Sequence, residues 1–190
     1  NTLHQLGFLE KDSSTRRCRP GGRLMEMAYL YMSNSTLGAA AMPRLIEAGA
    51  TYKTTVNLVE RDDLSMIYTV RIPHVKAPYD ATVPGRRIPA YCSASGIAVM
   101  SRLNDDEVQD ILGRSTLEKQ LPTTITDPDK IMKQVAQARR RGFAQTYAQQ
   151  LEREISIAAP ILDVRKRPIG AVQIPVYTPV WKKSDATEKL

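Results

Sequence analysis

Cys92, His74 and a serine-rich turn at residues 93–96 are the positions whose side chains could do covalent chemistry. A cysteine thiol with a histidine base would be a nucleophile pair, but no third group is placed to orient the histidine. A cysteine beside Tyr91 is more often a small apolar core residue. The serine turn lacks the preceding glycine of a nucleophile elbow. We therefore expect no enzyme.

The sequence contains no pattern typical of a metal site or a cofactor site. A metal site would need clustered ligands at fixed spacing, and His4 and His74 lie far from each other and from Cys18 and Cys92. The serine turn is also no P-loop, since the Gly-Lys-Ser/Thr ending is missing. We expect neither a metal nor a cofactor.

Anion binding is the remaining chemistry of the turn at residues 93–96. It opens a predicted helix over about 93–102, and its small side chains leave backbone N–H groups uncovered. The same small residues could instead serve close packing of the helix on a sheet. Physical reasoning alone leaves these two explanations equal.

The composition is that of an ordinary globular protein, with 42% hydrophobic and 25% charged residues among 190. The formal net charge of +7 suits an acidic partner, although solvated basic faces are common. The longest apolar run is far too short for a bilayer, and no leader opens the chain. We expect a cytoplasmic protein without a membrane or a disulfide framework.

The N-terminal residues indicate a helix end followed by a basic hairpin. Residues 1–7 read as the last turns of a helix, and strands at 8–11 and 16–19 flank a turn at 12–15. This is what remains of a winged helix-turn-helix without its first helices, although a solvated surface hairpin has the same pattern. Since the chain begins inside a helix, we expect that its true N-terminus is missing.

A second amphipathic segment follows the break at residues 20–22. Leu24, Met27, Ala28 and Tyr31 recur at helical spacing on one face. A lone helix of this length is marginal in water without a partner for its apolar stripe. It either packs on its own domain or, as we favour, links domains and pairs with a second subunit.

The rest of the chain predicts a sheet flanked by helices. Thr36 is expected to cap a helix that turns Leu37, Ala40, Ala41, Leu45 and Ile46 inward, and residues 73–84 form a mobile loop. The other predicted elements are strands at 55–59, 66–72, 143–146, 155–162 and 169–177, and helices beginning near Ser93, at Asn104 with Glu107 in a capping box, and at 126–128 and ending at Gly142. Without strict βαβ alternation, this is an α+β fold with an antiparallel or mixed sheet, the layout of a GAF-like sensor.

Several short motifs, taken in order, resemble the IclR family of transcriptional regulators. They are residues 55–58 (TVNL), 85–89 (GRRIP), 126–128 (TDP), 141–143 (RGF) and 158–161 (AAPI). Residues 8–10 and the arginines at 16–23 resemble the family's wing and the start of its linker helix. The resemblance implies a remnant of the winged helix-turn-helix at 1–21, a linker helix at 22–34 and an effector-binding domain at 35–190.

The resemblance also implies a cavity for a small organic acid or aromatic metabolite, whose carboxylate would meet the turn at 93–96. Carried over by position, the effector-binding residues are Ala77, Asp80, Ile88, Ala94, Ser95, Gly96, Thr146, Ser156, Gln173 and Pro175. The chain departs from the family's pattern, because residues 144–150 replace an acidic run and Ser156 replaces a common cysteine. Serine is common where Gln173 and Pro175 stand, and lysine where Ile97 stands, so the fold carries over better than the ligand.

The implied function is a regulator that binds a double-stranded DNA operator as a homodimer or tetramer. Arg16, Arg17 and Arg19 would contact phosphate or the minor groove, with Thr2 and His4 as the remnant of base reading. This hypothesis predicts two further helices upstream in the native gene product. The main alternative is a stand-alone GAF-like module that binds a small molecule and signals through protein contacts. A hydrolase or transferase using Cys92 or Ser95 is a distant third.

Overall fold

The chain divides into a small N-terminal unit and a larger C-terminal one. The computed structural model describes residues 2–74, 83–178, 180–181 and 186–188. The first unit comprises residues 1–40 and the second residues 41–190. The domain bounds inferred from the family resemblance stay predictions.

The small unit contains a short hairpin between two helices. Its elements are α1 (Thr2–Gln5), β1 (Leu9–Lys11), β2 (Cys18–Pro20) and α2 (Arg23–Ser33), with β1 and β2 antiparallel. The predicted turn is closed by Asp12, whose Oδ1 accepts from the backbone N–H groups of Ser14 and Thr15, each at 2.8 Å. The returning strand begins at Cys18, later than predicted, and Arg16 adopts a left-handed φ of 56° in the turn before it.

The next helix, α3 (Thr36–Tyr52), corrects two details of the prediction. Its cap is Ser35, whose Oγ accepts from the N–H of Gly38 at 2.9 Å, so the assignment of the cap to Thr36 is wrong. Leu45 is buried as expected, but Ala40 is exposed and Ile46 is 53% exposed. Successive helical residues are turned by about 100°, so the neighbour of a fully buried side chain can point to solvent.

A six-stranded antiparallel sheet forms the centre of the larger unit, which confirms the predicted fold class. Its strands are β3 (Val56–Asp62), β4 (Ser65–Ile72), β5 (Arg87–Pro89), β6 (Ala144–Tyr147), β7 (Glu154–Leu162) and β8 (Pro168–Tyr177), in the order β5-β4-β3-β8-β7-β6. The short β5 was read from sequence only as part of a turn leading into a helix. Its Ile88 pairs with Met66 of β4. Three residues are too few to show the alternation by which a strand is recognised.

Three helices contribute buried side chains to one hydrophobic core with this sheet. They are α4 (Ala94–Met100), α5 (Asp105–Arg114) and α6 (Pro128–Arg141), and a 3-10 turn at Ala90–Cys92 precedes α4. The predicted capping box of Asn104 and Glu107 is present. Asp127 caps α6, and Gly142 ends it with a left-handed φ of 84°. The helix α4 packs on β7, β8 and α6.

The core lies between these helices and the sheet. Its largest fully buried side chains include Tyr91, Met66, Ile97, Met100 and Ile131. Within the described residues, no helix is long and apolar enough to cross a membrane. Nor do the described His, Cys, Asp and Glu side chains form a group of three or more that could hold a metal ion.

Candidate functional site: a polar cavity at the end of the sheet

Polar side chains occupy one face of β7 and β8 where β7 begins and β8 ends. Glu154 lies opposite Tyr177 and Ser156 opposite Pro175, while Gln173 is paired with Ala158. Directly paired residues of antiparallel strands share a face, and so do residues two apart on one strand. The strand period therefore gathers Glu154, Ser156, Gln173 and Tyr177 on the same face.

A chain of hydrogen bonds joins these side chains. Ser156 Oγ donates to Glu154 Oε1 at 2.7 Å, and the Tyr177 hydroxyl donates to Glu154 Oε2 at 3.1 Å. Gln173 Nε2 donates to the Tyr68 hydroxyl oxygen at 2.9 Å and to Ser156 Oγ at 3.1 Å. Ser156, Gln173 and Tyr68 are each 3% exposed, so these bonds are formed largely without competition from water.

A cavity of about 220 Å³, which includes space open to solvent, adjoins this network. The start of α4 and the segment after β6 supply the remaining walls. The described lining residues are Cys92, Ser93, Ala94, Thr146, Gln149, Gln150, Glu154, Ser156 and Gln173. None of these described residues is lysine or arginine, and Glu154 is the one carboxylate among them.

Burial controls the ionisation of the groups around the cavity. It raises the pKa of Glu154, against the opposing effects of the hydrogen bonds from Ser156 and Tyr177 and of the charge on Arg86. Burial likewise raises the pKa of Tyr68 and of Tyr177. These hydroxyls therefore stay protonated at neutral pH and act as hydrogen-bond donors or acceptors.

The cysteine at the cavity is not activated as a nucleophile. Burial raises the pKa of Cys92, while the hydrogen bond from Gln150, whose Nε2 lies 3.6 Å from Sγ, acts in the opposite direction. A thiol whose pKa is raised carries little thiolate at neutral pH, and thiolate is the reactive form. Cys92 thus behaves as the small core residue that the sequence favoured.

The start of α4 shows why its residues are small. Ser93 Oγ accepts from the N–H of Gly96 at 3.0 Å, so one of the N–H groups considered for an anion is already bonded. A Cβ added to Gly96 would lie 2.1 Å from the carbonyl oxygen of Ala90. Close packing against the preceding turn thus explains Gly96. Ser95 is fully buried, and its Oγ has no hydrogen-bond partner in the described structure.

The structure brings part of the predicted effector set together. Ala94, Thr146, Ser156 and Gln173 line the cavity. Ile88, Ser95, Gly96 and Pro175 are buried but are not among the described lining residues, and Ala77 and Asp80 lie outside the residues that the structure describes. The effector set as a whole stays a prediction.

Sequence reasoning missed Glu154, Gln149 and Gln150. The available signal was the polar pair Glu154 and Ser156 at alternate positions at the beginning of a strand that is otherwise apolar. Gln149 is held firmly: its Oε1 accepts from the N–H of Ile125 at 2.8 Å, and its Nε2 donates to the Thr123 carbonyl at 3.0 Å. With Thr146 it also borders a wider outer cleft of about 930 Å³ that includes open solvent.

The residues predicted to contact DNA all lie in the small unit and are exposed. Thr2 and His4 belong to α1, and Arg16 and Arg17 precede β2. Arg19 is paired with Glu10 on the neighbouring strand, 2.6 Å away. No finding tests their role.

Comparison with known proteins identifies the family of this chain. The family model described as bacterial transcriptional regulator IclR C-terminal matches residues 29–190. The chain belongs to this family. The recognition made from the ordered motifs is thereby confirmed, and the C-terminal part of the chain is an IclR effector-binding domain.

The sequence relatives of this IclR-family chain are transcriptional regulators by name. The Pca regulon regulatory protein of Pseudomonas putida is 25% identical over 192 residues, which cover 100% of this chain and 65% of the relative. The regulator KipR of Bacillus subtilis is 25% identical over 174 residues, 92% of this chain and 69% of the relative. The chain thus spans about two thirds of the length of these curated relatives.

Solved structures show the same fold. IclR of Thermotoga maritima matches with a TM-score of 0.83 at 21% identity, over 98% of this chain and 75% of that one. An IclR homologue from Microbacterium hydrocarbonoxydans, solved in complex with 4-hydroxybenzoate, matches with a TM-score of 0.74 at 21% identity, over 98% and 76% of the two chains.

Proposed function

We propose that this IclR-family chain belongs to a ligand-responsive transcriptional regulator of the cytoplasm, and that it is not an enzyme. The observation that carries the proposal is the cavity beside Glu154, Ser156 and Gln173, enclosed by an ordered polar network within an effector-binding fold. Convergent polar groups are the part of a small-molecule site that fixes the orientation of the ligand.

The proposed effector is a small organic acid or aromatic metabolite that bears a carboxylate. The polar lining supports an effector that forms hydrogen bonds, and the class of compound is the one that the family resemblance implies. The structural neighbour that holds 4-hydroxybenzoate makes this compound the first probe to try. A ligand acts as an effector only if it binds one arrangement of the protein more tightly than another. The resulting shift between the two arrangements would change how paired DNA-binding domains fit an operator.

Pairing of two copies through α2 is part of the proposal. The described residues of α2 include none that is buried, and Leu24, Met27 and Tyr31 are 42%, 53% and 56% exposed. Apolar side chains crowded on one 11-residue helix favour a partner that covers them. A second copy of the chain fits the two-fold symmetry of operator half-sites, and dimers or tetramers are the proposed assembly.

The experiment compares ligand and DNA binding by the protein in its native length. Sequences selected from random duplexes should share a symmetric motif, and their affinity should fall steeply with salt. Added 4-hydroxybenzoate should change that affinity, and Ser156→Phe, which fills the cavity, should abolish the change while DNA binding persists. Ligand binding without DNA selection would instead establish the stand-alone sensor module.

Native mass spectrometry of the purified protein tests the assembly. We expect dimers or tetramers, with any retained small acid lost under denaturing conditions. Leu24→Glu combined with Met27→Glu should yield monomers, whereas Glu26→Gln on the same helix should not. A monomeric parent protein would contradict the role of α2.

A further inference from the structure

We propose that Glu154 is a specificity-determining residue of the effector site, and that it selects effectors carrying a hydroxyl or amino hydrogen-bond donor. The inference rests on the proposed function, since it concerns the same cavity. It adds the chemical group that an effector must present, which the family assignment does not supply.

The geometry of Glu154 leaves it able to accept from a ligand. Each carboxyl oxygen receives one hydroxyl, Oε1 from Ser156 at 2.7 Å and Oε2 from Tyr177 at 3.1 Å. An ionised carboxylate has about four acceptor positions, so roughly two stay open. Glu154 lines the cavity, so a ligand that occupies the cavity would meet this carboxyl group.

A second acceptor lies beside the first. Gln173 is 3% exposed and lines the cavity, yet its Oε1 has no hydrogen-bond partner. Its Nε2 is bonded to Ser156 Oγ, the same atom that donates to Glu154, so the two acceptors share one neighbour. A buried polar atom without a partner destabilises the folded protein, and a ligand donor would remove that cost.

The two hydroxyl groups nearest to Glu154, those of Ser156 and Tyr177, already donate to it. Neither Ser156 nor Tyr177 has a second proton for a ligand, and no lysine or arginine is among the described lining residues. At Glu154 and at Gln173 Oε1 the cavity therefore offers acceptors. A ligand group without a donor would leave the open acceptor positions of Glu154 and Gln173 without hydrogen bonds.

The size of the discrimination follows from this asymmetry. A site built to hydrogen-bond a hydroxyl rejects an analogue that lacks it far more strongly than an apolar pocket rejects an extra methylene. We expect at least about a tenfold difference in affinity, which corresponds to one lost hydrogen bond of about 1.4 kcal/mol.

The test measures affinities of four probes by calorimetry: 4-hydroxybenzoate and 4-aminobenzoate, which carry a donor, and benzoate and 4-methoxybenzoate, which do not. We expect at least one donor-bearing probe to bind about tenfold more tightly than both others. Glu154→Leu should reduce this preference to less than about threefold. Glu152→Gln, which changes an exposed glutamate two residues away, is the matched control and should retain the preference.

Glu154→Gln keeps the inference testable if Glu154→Leu does not fold. Its amide offers an N–H donor, so 4-methoxybenzoate should gain affinity relative to 4-hydroxybenzoate. Equal binding of all four probes by the parent protein, a preference that survives at both Glu154 variants, or binding of none of the probes would overturn the inference. The proposed function would fail separately, through the absence of DNA selection or of any effector response.

Discussion

One face of the paired strands β7 and β8 has two buried regions, an apolar one and a polar one. In the middle of β7, Ala158 is 1% exposed, and Ala171 on β8 is fully buried. Two residues further along the same face, Ser156 and Gln173 are 3% exposed. The backbone pairing is continuous from one place to the other. Burial alone therefore does not distinguish a core from a site.

The two places differ in the interactions that their side chains make. The apolar end is covered by α4 and contributes to the hydrophobic core. The polar end depends on directed hydrogen bonds, and it leaves Gln173 Oε1 and both amide atoms of Asn57, the register partner of Gln173, without hydrogen-bond partners. Close packing stabilises the first end, whereas the second retains space and unmet hydrogen-bonding capacity that a ligand could use.

The largest effect is expected from a charge at the apolar end. Ala171→Asp would place an unpaired carboxylate in the core, and the free energy of unfolding should fall by about 3–5 kcal/mol. Urea denaturation measures it. Leu162→Asp, at a 37% exposed position of β7, is the matched control and should change stability by less than about 1 kcal/mol. Equal losses would show that the two places do not differ as described.

A smaller loss is expected at the polar end. Ser156→Ala removes the hydroxyl that joins Gln173 to Glu154, and should lower the free energy of unfolding by about 1–3 kcal/mol. The same urea titration applies. A change within about 0.3 kcal/mol would mean that water replaces the hydroxyl at no cost and that the network is not structural.

The ionisation of Glu154 gives the polar end a pH dependence that the apolar end lacks. Its pKa in the folded protein is raised above 4.5, the ordinary value, so the folded state binds more protons than the unfolded state between the two values. The contribution of this group to the free energy of unfolding is fully present below pH 4.5. It is lost as the pH rises from 4.5 to the pKa of the folded protein, by at most about 1.4 kcal/mol per pH unit.

Comparison with Glu154→Gln isolates this contribution. The parent protein should lose stability relative to the variant as pH rises above 4.5, measured by urea denaturation at several pH values. The neighbouring groups Tyr68, Tyr177 and Arg86 are common to both proteins, so their effects largely cancel. A difference that is independent of pH would show that the folded-state pKa is not raised.

The smallest effect is expected in the turn that joins the two strands. Val164 is fully exposed, and Val164→Ser should change the free energy of unfolding by no more than about 0.5 kcal/mol. A larger change in thermal or urea unfolding would mean that the turn, and not the packing of the strand faces, controls the stability of this hairpin.

Much of the fold could be predicted from local residue patterns. The capping box at Asn104, the helix start at residues 126–128 and the stop at Gly142 depend on contacts within a few residues, and all three are present. Prediction failed where the outcome depended on distant residues. The strand β5 exists only through pairing with β4, and the exposure of Ile46 depends on which face of α3 is covered.

The candidate site was predicted less well, since its members come from four separate parts of the chain. The sequence by itself determined the order of elements, the family and the absence of an evident catalytic pattern, because these depend on neighbouring residues and short motifs. Only the tertiary structure decided that Glu154 joins Ser156, Gln173 and Tyr177 beside a cavity. Strand register and burial set both the contacts and the ionisation of that carboxyl group, and neither can be read from a single segment.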